Sequence, residues 1–245
     1  MSCTINQFIT TNFPLIIVCA FILPILIMII IGAIYTLYLD KKYMKTEYFK
    51  ATKVPYNTMS RDLGLSGEYF IYKQLTRLEG NKKFLFNCYL PKDDGTTSEV
   101  DLIMLHSSGI YVIESKNYSG WIFGTETQKM WTKTFRSGQK EKFYNPLMQN
   151  SAHIKWLMHN IPDIDKSAFY SIIVFSERCE LKNITLTTSN HMIVKRNYLL
   201  QVFARSIGSI LLSDSTIETI YQKLYPYTQV SEAVRMEHIK HIRGY

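Results

Sequence analysis

The most continuous hydrophobic pattern in the chain is an apolar run near the N-terminus. Residues 15–35 read LIIVCAFILPILIMIIIGAIY and contain no charged side chain. A helix of this length can cross the roughly 30 Å hydrocarbon core of a membrane, and Pro24 is tolerated in such a helix. We therefore predict a transmembrane helix over residues 13–39, preceded by a short extracytoplasmic N-terminus, residues 1–12.

A cleaved signal peptide and a buried core helix are the alternatives for this segment. A signal peptide needs a positively charged start, a shorter apolar core and a cleavage site of small residues. Here no Lys or Arg precedes the run, the run is long, and no A-x-A sequence follows it. Its length also argues against a buried helix of a soluble protein. A retained membrane anchor is the interpretation that these features favour.

Lysines cluster directly after the span and indicate its orientation. None precedes the span, and the first ones after it are Lys41, Lys42, Lys45, Lys50 and Lys53. The positive-inside rule then places residues 40–245 in the cytoplasm and the N-terminus outside the cell membrane. The same lysines are suited to contact anionic lipid head groups.

From residue 40 onward, helical spacing and short β-branched runs alternate along the chain. This order favours an α/β fold with a mixed central sheet flanked by helices. In chain order, the expected elements are a helix at 62–79, strands at 84–90, 100–105, 110–115, 122–124 and 130–132, a helix at 146–160, strands at 169–175 and 193–194, a helix at 199–211, and two C-terminal helices, the first capped at Ser215.

The same pass along the chain predicts how it is organised into parts. Residues 40–60 form a basic juxtamembrane linker, in which Pro55 opposes a helix near Val54. Residues 61–212 form the folded domain, and residues 213–245 a C-terminal helical extension.

The hairpin predicted over residues 100–115 brings acidic residues together. Alternate side chains of a strand share a face, so Glu114 and Lys116 point one way and Ser115 the other. With a two-residue loop at 107–108, cross-strand partners have residue numbers that sum to 215. Asp101 then lies opposite Glu114, with Cβ atoms about 5 Å apart.

Two carboxylates at this separation repel one another unless a positive charge lies between them. A divalent cation with oxygen ligands, Mg²⁺ or Mn²⁺, is the simple solution. Lys116 would then face a bound anion beside the metal, which is an arrangement suited to phosphodiester hydrolysis. From the pattern alone, ordinary ion pairs on a solvent-exposed face remain the alternative.

Four segments, in this order, resemble the NERD (nuclease-related) domain. They are residues 64–68 (GLSGE), 99–103 (EVDLI), 109–120 (GIYVIESKNYSG) and 145–149 (NPLMQ), and the resemblance covers about residues 60 to 180. It implies a PD-(D/E)xK nuclease-like fold, also called restriction-endonuclease-like, with a mixed central sheet flanked by helices. It also implies Mg²⁺-dependent action on nucleic acid, although activity is inferred for many members.

The resemblance assigns roles to the residues of the hairpin. Asp101 and Glu114 match the metal-binding carboxylates, and Lys116 matches the catalytic lysine. The backbone carbonyl of Ser115 is a further expected metal ligand. Serine replaces the commoner threonine at this position, where the side chain is expected to face away from the site.

Two helical positions complete the expected site. Glu68 matches the acidic residue of the first helix that helps to hold the metal or its water; the alternative is a first-turn acid favoured by the helix dipole. Gln149 matches a polar position near the active site. His153, one turn after Gln149, is interpreted as a packed or surface histidine. His238 and His241 are interpreted as a solvated helix face.

Charge and composition favour an anionic partner. Lys and Arg number 28 against 20 Asp and Glu, which gives a net charge of +8, all of it after residue 39. Nucleic acid and anionic lipid are both candidates. A stretch after the hairpin is suited to base stacking and phosphate contact, or else to a strand pair with an aromatic core side and a basic solvent side. Its residues are Trp121, Trp131, Phe135 and Tyr144, with Lys129, Lys133, Arg136, Lys140 and Lys142.

The expectation from these features is a membrane-anchored, metal-dependent nuclease that hydrolyses DNA or RNA at the cytoplasmic membrane face. A catalytically silent, membrane-tethered module that binds nucleic acid or protein is the alternative. A protein whose basic charge serves lipid head groups only is a third. The four cysteines form no C-x-x-C pair, which fits a reducing compartment and gives no support to structural zinc. The choice between DNA and RNA, the strandedness of the substrate and the oligomeric state stay open.

Overall fold

An exposed apolar helix leads into a folded α/β domain. The structure, a computed structural model, describes residues 18–206 and 210–243. A π-helical turn, Val18–Ile22, precedes helix α1, Leu23–Met44. Pro24 is the second residue of α1, which begins directly after this π-helical turn. The helix is long and apolar enough to cross a membrane; the part of the predicted span before residue 18 lies outside the described residues.

Helix α1 ends inside the folded domain. Tyr43 is 1% exposed, its hydroxyl donates to the carbonyl of Val54 at 2.9 Å, and its ring centroid lies 5.1 Å from that of Tyr69. The end of the helix is therefore part of the core.

The segment predicted as a basic linker, residues 40–60, differs from that expectation. It holds two short helices, α2 (Glu47–Thr52) and α3 (Tyr56–Arg61), whose Tyr48 and Met59 are buried. Val54 is not helical, and Pro55 is the N-cap residue that directly precedes α3. The few apolar side chains of residues 40–60 are spaced too irregularly to predict a helix from the sequence. They are buried by packing against the rest of the domain.

The central sheet has five strands in the order β1-β2-β3-β7-β9, the first three antiparallel and β3, β7 and β9 parallel. This confirms the predicted mixed sheet. Its strands are β1 (Lys82–Pro91), β2 (Thr97–His106), β3 (Gly109–Lys116), β7 (Phe169–Phe175) and β9 (His191–Lys195).

The β2–β3 hairpin has the predicted register. His106 pairs with Gly109 across a two-residue loop, and Leu102 pairs with Ile113 at the other end of the ladder. Both pairs have residue numbers that sum to 215, so the predicted register is confirmed. Asp101 and Glu114 each come one residue beyond the last pair, where the two strands stop pairing.

A second, four-stranded sheet has the order β6-β5-β4-β8. Its strands are β4 (Gly120–Thr125), β5 (Met130–Thr134), β6 (Lys140–Tyr144) and β8 (Cys179–Thr185). The antiparallel β4–β5 hairpin confirms the small hairpin predicted from the sequence. Strands β6 and β8 were not predicted, because their largely exposed, polar sequences KEKFY and CELKNIT lack an apolar run.

Two helices cover opposite faces of the central sheet. Helix α4, Leu63–Leu75, is capped by Asp62 and packs with α2 on one face. Helix α5, Pro146–Asn160, is capped by Asn145, has the predicted bounds and packs on the other face. Helix α4 ends before residue 79, because residues 76–80 form turns.

Three helices follow the sheets: α6 (Leu199–Ser206), α7 (Asp214–Leu224) and α8 (Glu232–Arg243). The predicted helix at 199–211 is shorter, since residues 210–211 are not helical and residues 207–209 lie outside the described part. The cap of α7 is Ser213, whose Oγ accepts from the N–H of Thr216, rather than the predicted Ser215.

Candidate active site

The candidate site lies where strands β2 and β3 stop pairing. Glu114 on β3 is 2% exposed, and Asp101 on β2 is partly buried. The hairpin thus brings both acids to one end of the central sheet.

Lys116 contacts two of the other predicted residues. Its Nζ lies 2.6 Å from Oε1 of Glu114 and 3.1 Å from Oε1 of Gln149 on helix α5. Burial alone would lower the pKa of Lys116, but the adjacent Glu114 carboxylate raises it above its ordinary value. The ammonium group therefore stays protonated at neutral pH. Ser115 points to the opposite face, beside Gly67 of helix α4, as the strand alternation predicts.

Glu114 is held ionised in spite of its burial. Burial would raise the pKa of Glu114, but its contacts with His153 and Lys116 outweigh that effect and hold the pKa below its ordinary value. The Nε2 atom of His153 lies 3.5 Å from Oε2 of Glu114. Each oxygen of the Glu114 carboxylate thus faces a nitrogen.

Burial and neighbouring carboxyl groups make Asp101 and Glu68 difficult to ionise. Burial raises the pKa of Glu68 to about 8, and the nearby carboxylates of Glu99 and Glu114 add to the effect of burial. The pKa of Asp101 is also raised well above its ordinary value, first by burial and then by Glu114 and Glu68. The hydroxyl of Tyr48 donates to Oε2 of Glu68 at 3.4 Å. A group of carboxylates that resist ionisation is one that gains from a bound cation.

The donor chemistry of this group fits a hard divalent cation, since Asp101, Glu114 and Glu68 all offer carboxylate oxygens. Within residues 18–206 and 210–243, however, no three His, Cys, Asp or Glu side chains are close enough together to enclose a metal ion. Closing such a site therefore requires the carboxylates to approach one another. Relief of their mutual repulsion by the cation would favour that movement.

Comparison with known proteins identifies the segment that carries these residues. Residues 63–176 match the family model for NERD, the nuclease-related domain. This part of the chain is a nuclease-related domain. The family belongs to the PD-(D/E)xK-like nuclease superfamily, which indicates a nuclease-like function. All of the predicted site residues lie within the matched segment.

A second comparison found a protein that is similar to this chain over most of its length. An uncharacterized protein of Bacillus anthracis is 29% identical over 187 residues, which span 74% of this chain and 84% of the relative. The name of that protein assigns it no activity. No solved structure matches the chain.

Two histidines near the site were not predicted to belong there. His153, interpreted as a packed or surface residue, contacts Glu114 from helix α5. His238, interpreted as part of a solvated face, is 7% exposed, with Nε2 3.4 Å from Oε2 of Glu99 and Nδ1 2.9 Å from Oγ1 of Thr97. Burial lowers the pKa of His238. The partner carboxylate comes from β2, far away in sequence, so no local spacing could reveal the contact.

The aromatic and basic stretch of the nuclease-related domain divides into a core part and a surface part. Trp131 is fully buried, as expected for the core side of a strand pair, whereas Trp121 is 48% exposed. Trp121 lines a surface cleft of about 640 Å³ together with Phe135, Arg136 and Arg178. Arg178 also donates to the carbonyl of Asn117 at 2.9 Å, immediately after Lys116 in sequence. This contact connects the cleft to the chain segment that follows β3.

Proposed function

We propose that the chain is a metal-dependent nuclease, anchored in the cell membrane by helix α1, that hydrolyses phosphodiester bonds of DNA or RNA. The observation that carries the proposal is the buried contact between Lys116 and Glu114, inside a nuclease-related domain in which burial and neighbouring carboxylates raise the pKa of Asp101 and Glu68.

A divalent cation, Mg²⁺ or Mn²⁺, is the cofactor that this proposal requires. The side chains of Asp101 and Glu114 and the backbone carbonyl of Ser115 would hold it, and Glu68 would orient its water. When bound, the ion would supply Lewis-acid activation of the phosphate and of a water nucleophile. The raised pKa of Asp101 and Glu68 in the absence of a cation supports this assignment.

Lys116 would act as a fixed positive charge. Its raised pKa keeps it protonated, so it cannot serve as a general base at neutral pH. It is suited instead to stabilise negative charge that develops on the phosphate. Gln149 would keep the Nζ atom in place through the contact at 3.1 Å.

Nucleic acid is the proposed substrate because of charge and surface chemistry. The net charge of +8 favours an anionic polymer. The cleft lined by Trp121 offers an exposed ring for base stacking and two guanidinium groups, Arg136 and Arg178, for phosphates. Neither feature separates DNA from RNA.

Membrane attachment is proposed on the basis of helix α1, which has the length and apolar composition of a membrane span. The lysines that follow its apolar part favour a cytoplasmic domain and contact with anionic lipid. Labelling of an engineered cysteine on the domain surface in intact and in broken cells tests the orientation. Labelling only after the cells are broken is the expected result, and labelling in intact cells would contradict it.

The test of the nuclease proposal uses the full chain in lipid nanodiscs with DNA and RNA substrates. Cleavage is expected with Mg²⁺ or Mn²⁺ and is expected to stop with a chelator. Asp101→Asn and Lys116→Gln should abolish it, whereas Lys83→Gln, which removes a surface lysine paired with Glu218, should not. Cleavage that persists in both site variants would refute the assignment.

A catalytically silent module is the second candidate, and one observation favours it. Lys116 and Glu114 already neutralise each other at 2.6 Å, with side chains only 15% and 3% exposed. A domain that kept this pair for stability alone would bind nucleic acid without a metal. Calorimetry separates the two functions: salt-sensitive DNA binding with no Mg²⁺ or Mn²⁺ binding would favour the module.

A further inference from the structure

His153 is held in a fixed orientation beside the candidate site. Its Nδ1 atom lies 2.8 Å from Oγ of Ser98 on strand β2. Its Nε2 atom lies 3.5 Å from Oε2 of Glu114, is buried, and has no hydrogen-bond partner among the described residues. A buried nitrogen that makes no hydrogen bond and faces a carboxylate oxygen is placed to share a ligand with that oxygen.

The contact with Ser98 determines what His153 offers to the site. When Nδ1 carries the proton and donates to Oγ of Ser98, the lone pair of Nε2 points towards Glu114. Ser98 is itself 6% exposed, so water does not compete readily for this hydrogen bond. Metal-binding histidines are commonly oriented in this way by a partner on their other nitrogen.

The geometry also fits two ligands of one ion. Two ligands at right angles around an ion, each about 2.1 Å from it, are about 3 Å apart. The observed separation between Nε2 of His153 and Oε2 of Glu114 is 3.5 Å, which needs only a small closure. Oε1 of Glu114 is occupied by Lys116, so Oε2 is the oxygen that remains for a metal.

We propose that His153 supplies a nitrogen ligand to the metal ion, beside Oε2 of Glu114, and that the site consequently takes Mn²⁺ in preference to Mg²⁺. The inference rests on the metal site of the proposed function and adds a ligand to it. Mg²⁺ prefers an all-oxygen shell, whereas imidazole nitrogen is a good ligand for transition metals. One nitrogen among oxygens therefore selects the transition ion.

Helix α5 supplies a matched control. His159 lies on the same helix, has a side chain that is 57% exposed, and is paired with Asp93 at 3.4 Å on the surface. The substitution His159→Gln changes the same residue type in the same helix without touching the site. Its effects on metal binding should be negligible.

The test measures Mn²⁺ coordination and affinity with the full chain in lipid nanodiscs. Pulsed electron paramagnetic resonance should show nitrogen coupled to bound Mn²⁺ in the wild type and in His159→Gln, but not in His153→Gln. Calorimetry should show about tenfold weaker Mn²⁺ binding in His153→Gln, with a smaller change for Mg²⁺. Nitrogen coupling that survives in His153→Gln, or an unchanged preference between the ions, would overturn the inference.

A second variant serves if His153→Gln does not fold. Ser98→Ala removes the partner of Nδ1 but keeps the nitrogen ligand. It should retain nitrogen coupling while Mn²⁺ affinity falls several-fold. Unchanged affinity in Ser98→Ala would contradict the orientation argued for His153.

A cleavage assay on the same samples separates this inference from the proposed function. Wild-type protein that cuts nucleic acid with no nitrogen coupled to Mn²⁺ would overturn the role of His153 and leave the nuclease proposal intact. Protein that binds Mn²⁺ through His153 but cuts no substrate would support the role of His153 as a metal ligand and would contradict the nuclease proposal.

Discussion

The Nζ atom of Lys116 lies 2.6 Å from Oε1 of Glu114, two residues earlier on the same strand. Both side chains emerge from one face of β3, so the strand itself imposes the contact. Because the pair is largely buried, removing either partner leaves the other charge without compensation. Stability and the proposed chemistry therefore depend on the same contact.

Replacement of Lys116 by methionine should affect both properties. Lys116→Met keeps the length of the side chain and removes its charge. We expect cleavage to fall by at least about 100-fold, since one charged group that stabilises the transition state is lost. The free energy of unfolding should fall by about 3 kcal/mol, because the buried Glu114 carboxylate loses its ammonium partner. Single-turnover cleavage and denaturant unfolding measure the two effects.

The control for this prediction is Lys83→Met, which breaks the exposed pair with Glu218. An exposed pair contributes little to stability. The free energy of unfolding should therefore change by less than about 1 kcal/mol, and the cleavage rate by no more than the factor that corresponds to this energy. Equal effects of the two substitutions would show that the contact between Lys116 and Glu114 has no special role.

Glu68 should make the metal-free protein less stable as the pH rises. Its pKa is about 8 in the folded protein against an ordinary 4.5, so the folded state keeps a proton that the unfolded chain releases. The stabilisation is complete below pH 4.5 and is lost as the pH rises towards 8, by at most about 1.4 kcal/mol per pH unit. Unfolding of chelator-treated protein at several pH values measures this slope.

Glu68→Gln should flatten that dependence, because glutamine stays neutral throughout. Glu141→Gln on the exposed strand β6 should leave the slope as it is. A wild-type protein whose stability is constant between pH 5 and pH 8, about the range in which Glu68 would titrate, would contradict the assigned direction of the pKa of Glu68.

The close packing of α4 against β3 should be sensitive at Gly67. A Cβ at this position would lie 2.9 Å from Oγ of Ser115 and 3.4 Å from Cβ of Asn117. Gly67→Ala should therefore shift α4, lower the free energy of unfolding by about 1 kcal/mol and reduce cleavage about tenfold through displacement of Glu68. Thermal unfolding and cleavage rates measure the two effects.

Gly64 in the same helix provides the comparison. Its Cβ would lie 3.2 Å from Oδ1 of Asp62, at an exposed position. Gly64→Ala should be neutral or slightly stabilising, since alanine favours a helix by up to about 1 kcal/mol. If Gly64→Ala reduced cleavage as much as Gly67→Ala, the packing argument would fail.

The exposed ring of Trp121 should contribute to binding of single-stranded nucleic acid. Loss of one stacked base costs about 1–3 kcal/mol, so Trp121→Ala should weaken binding roughly tenfold or more. Fluorescence anisotropy with labelled oligonucleotides measures the change. Tyr198→Ala, which removes another exposed ring, 51% exposed and outside the residues that line the cleft, should bind like the wild type. Equal binding by both variants would show that the cleft does not contribute to binding of nucleic acid.

Much of the central sheet could be predicted because its signals are local. The loop of two residues between β2 and β3 fixes the register, and strand alternation then separates Ser115 from Glu114 and Lys116. Helix α5 has its start signal in Asn145 and Pro146 and was predicted with its observed bounds. Register and helix ends depend on neighbouring residues, which the sequence displays directly.

The remaining features depend on contacts between distant segments. His153 and His238 each face a glutamate from another element, and no spacing along the chain shows which glutamate that is. The polar strand β8 exists because it pairs with β4 in parallel across a long stretch of sequence. Residues 40–60 fold because Tyr43 and Tyr48 enter an aromatic cluster contributed by α4 and β1.

The burial of Tyr43 also limits where the protein can act. Helix α1 continues from its apolar part into the core, so no slack chain separates the anchor from the domain. If α1 is embedded in a bilayer as proposed, strand β3 would stay at a constant height above the lipid. Only polymers that pass through this thin layer would be within reach, and a tilt of α1 would change that height directly.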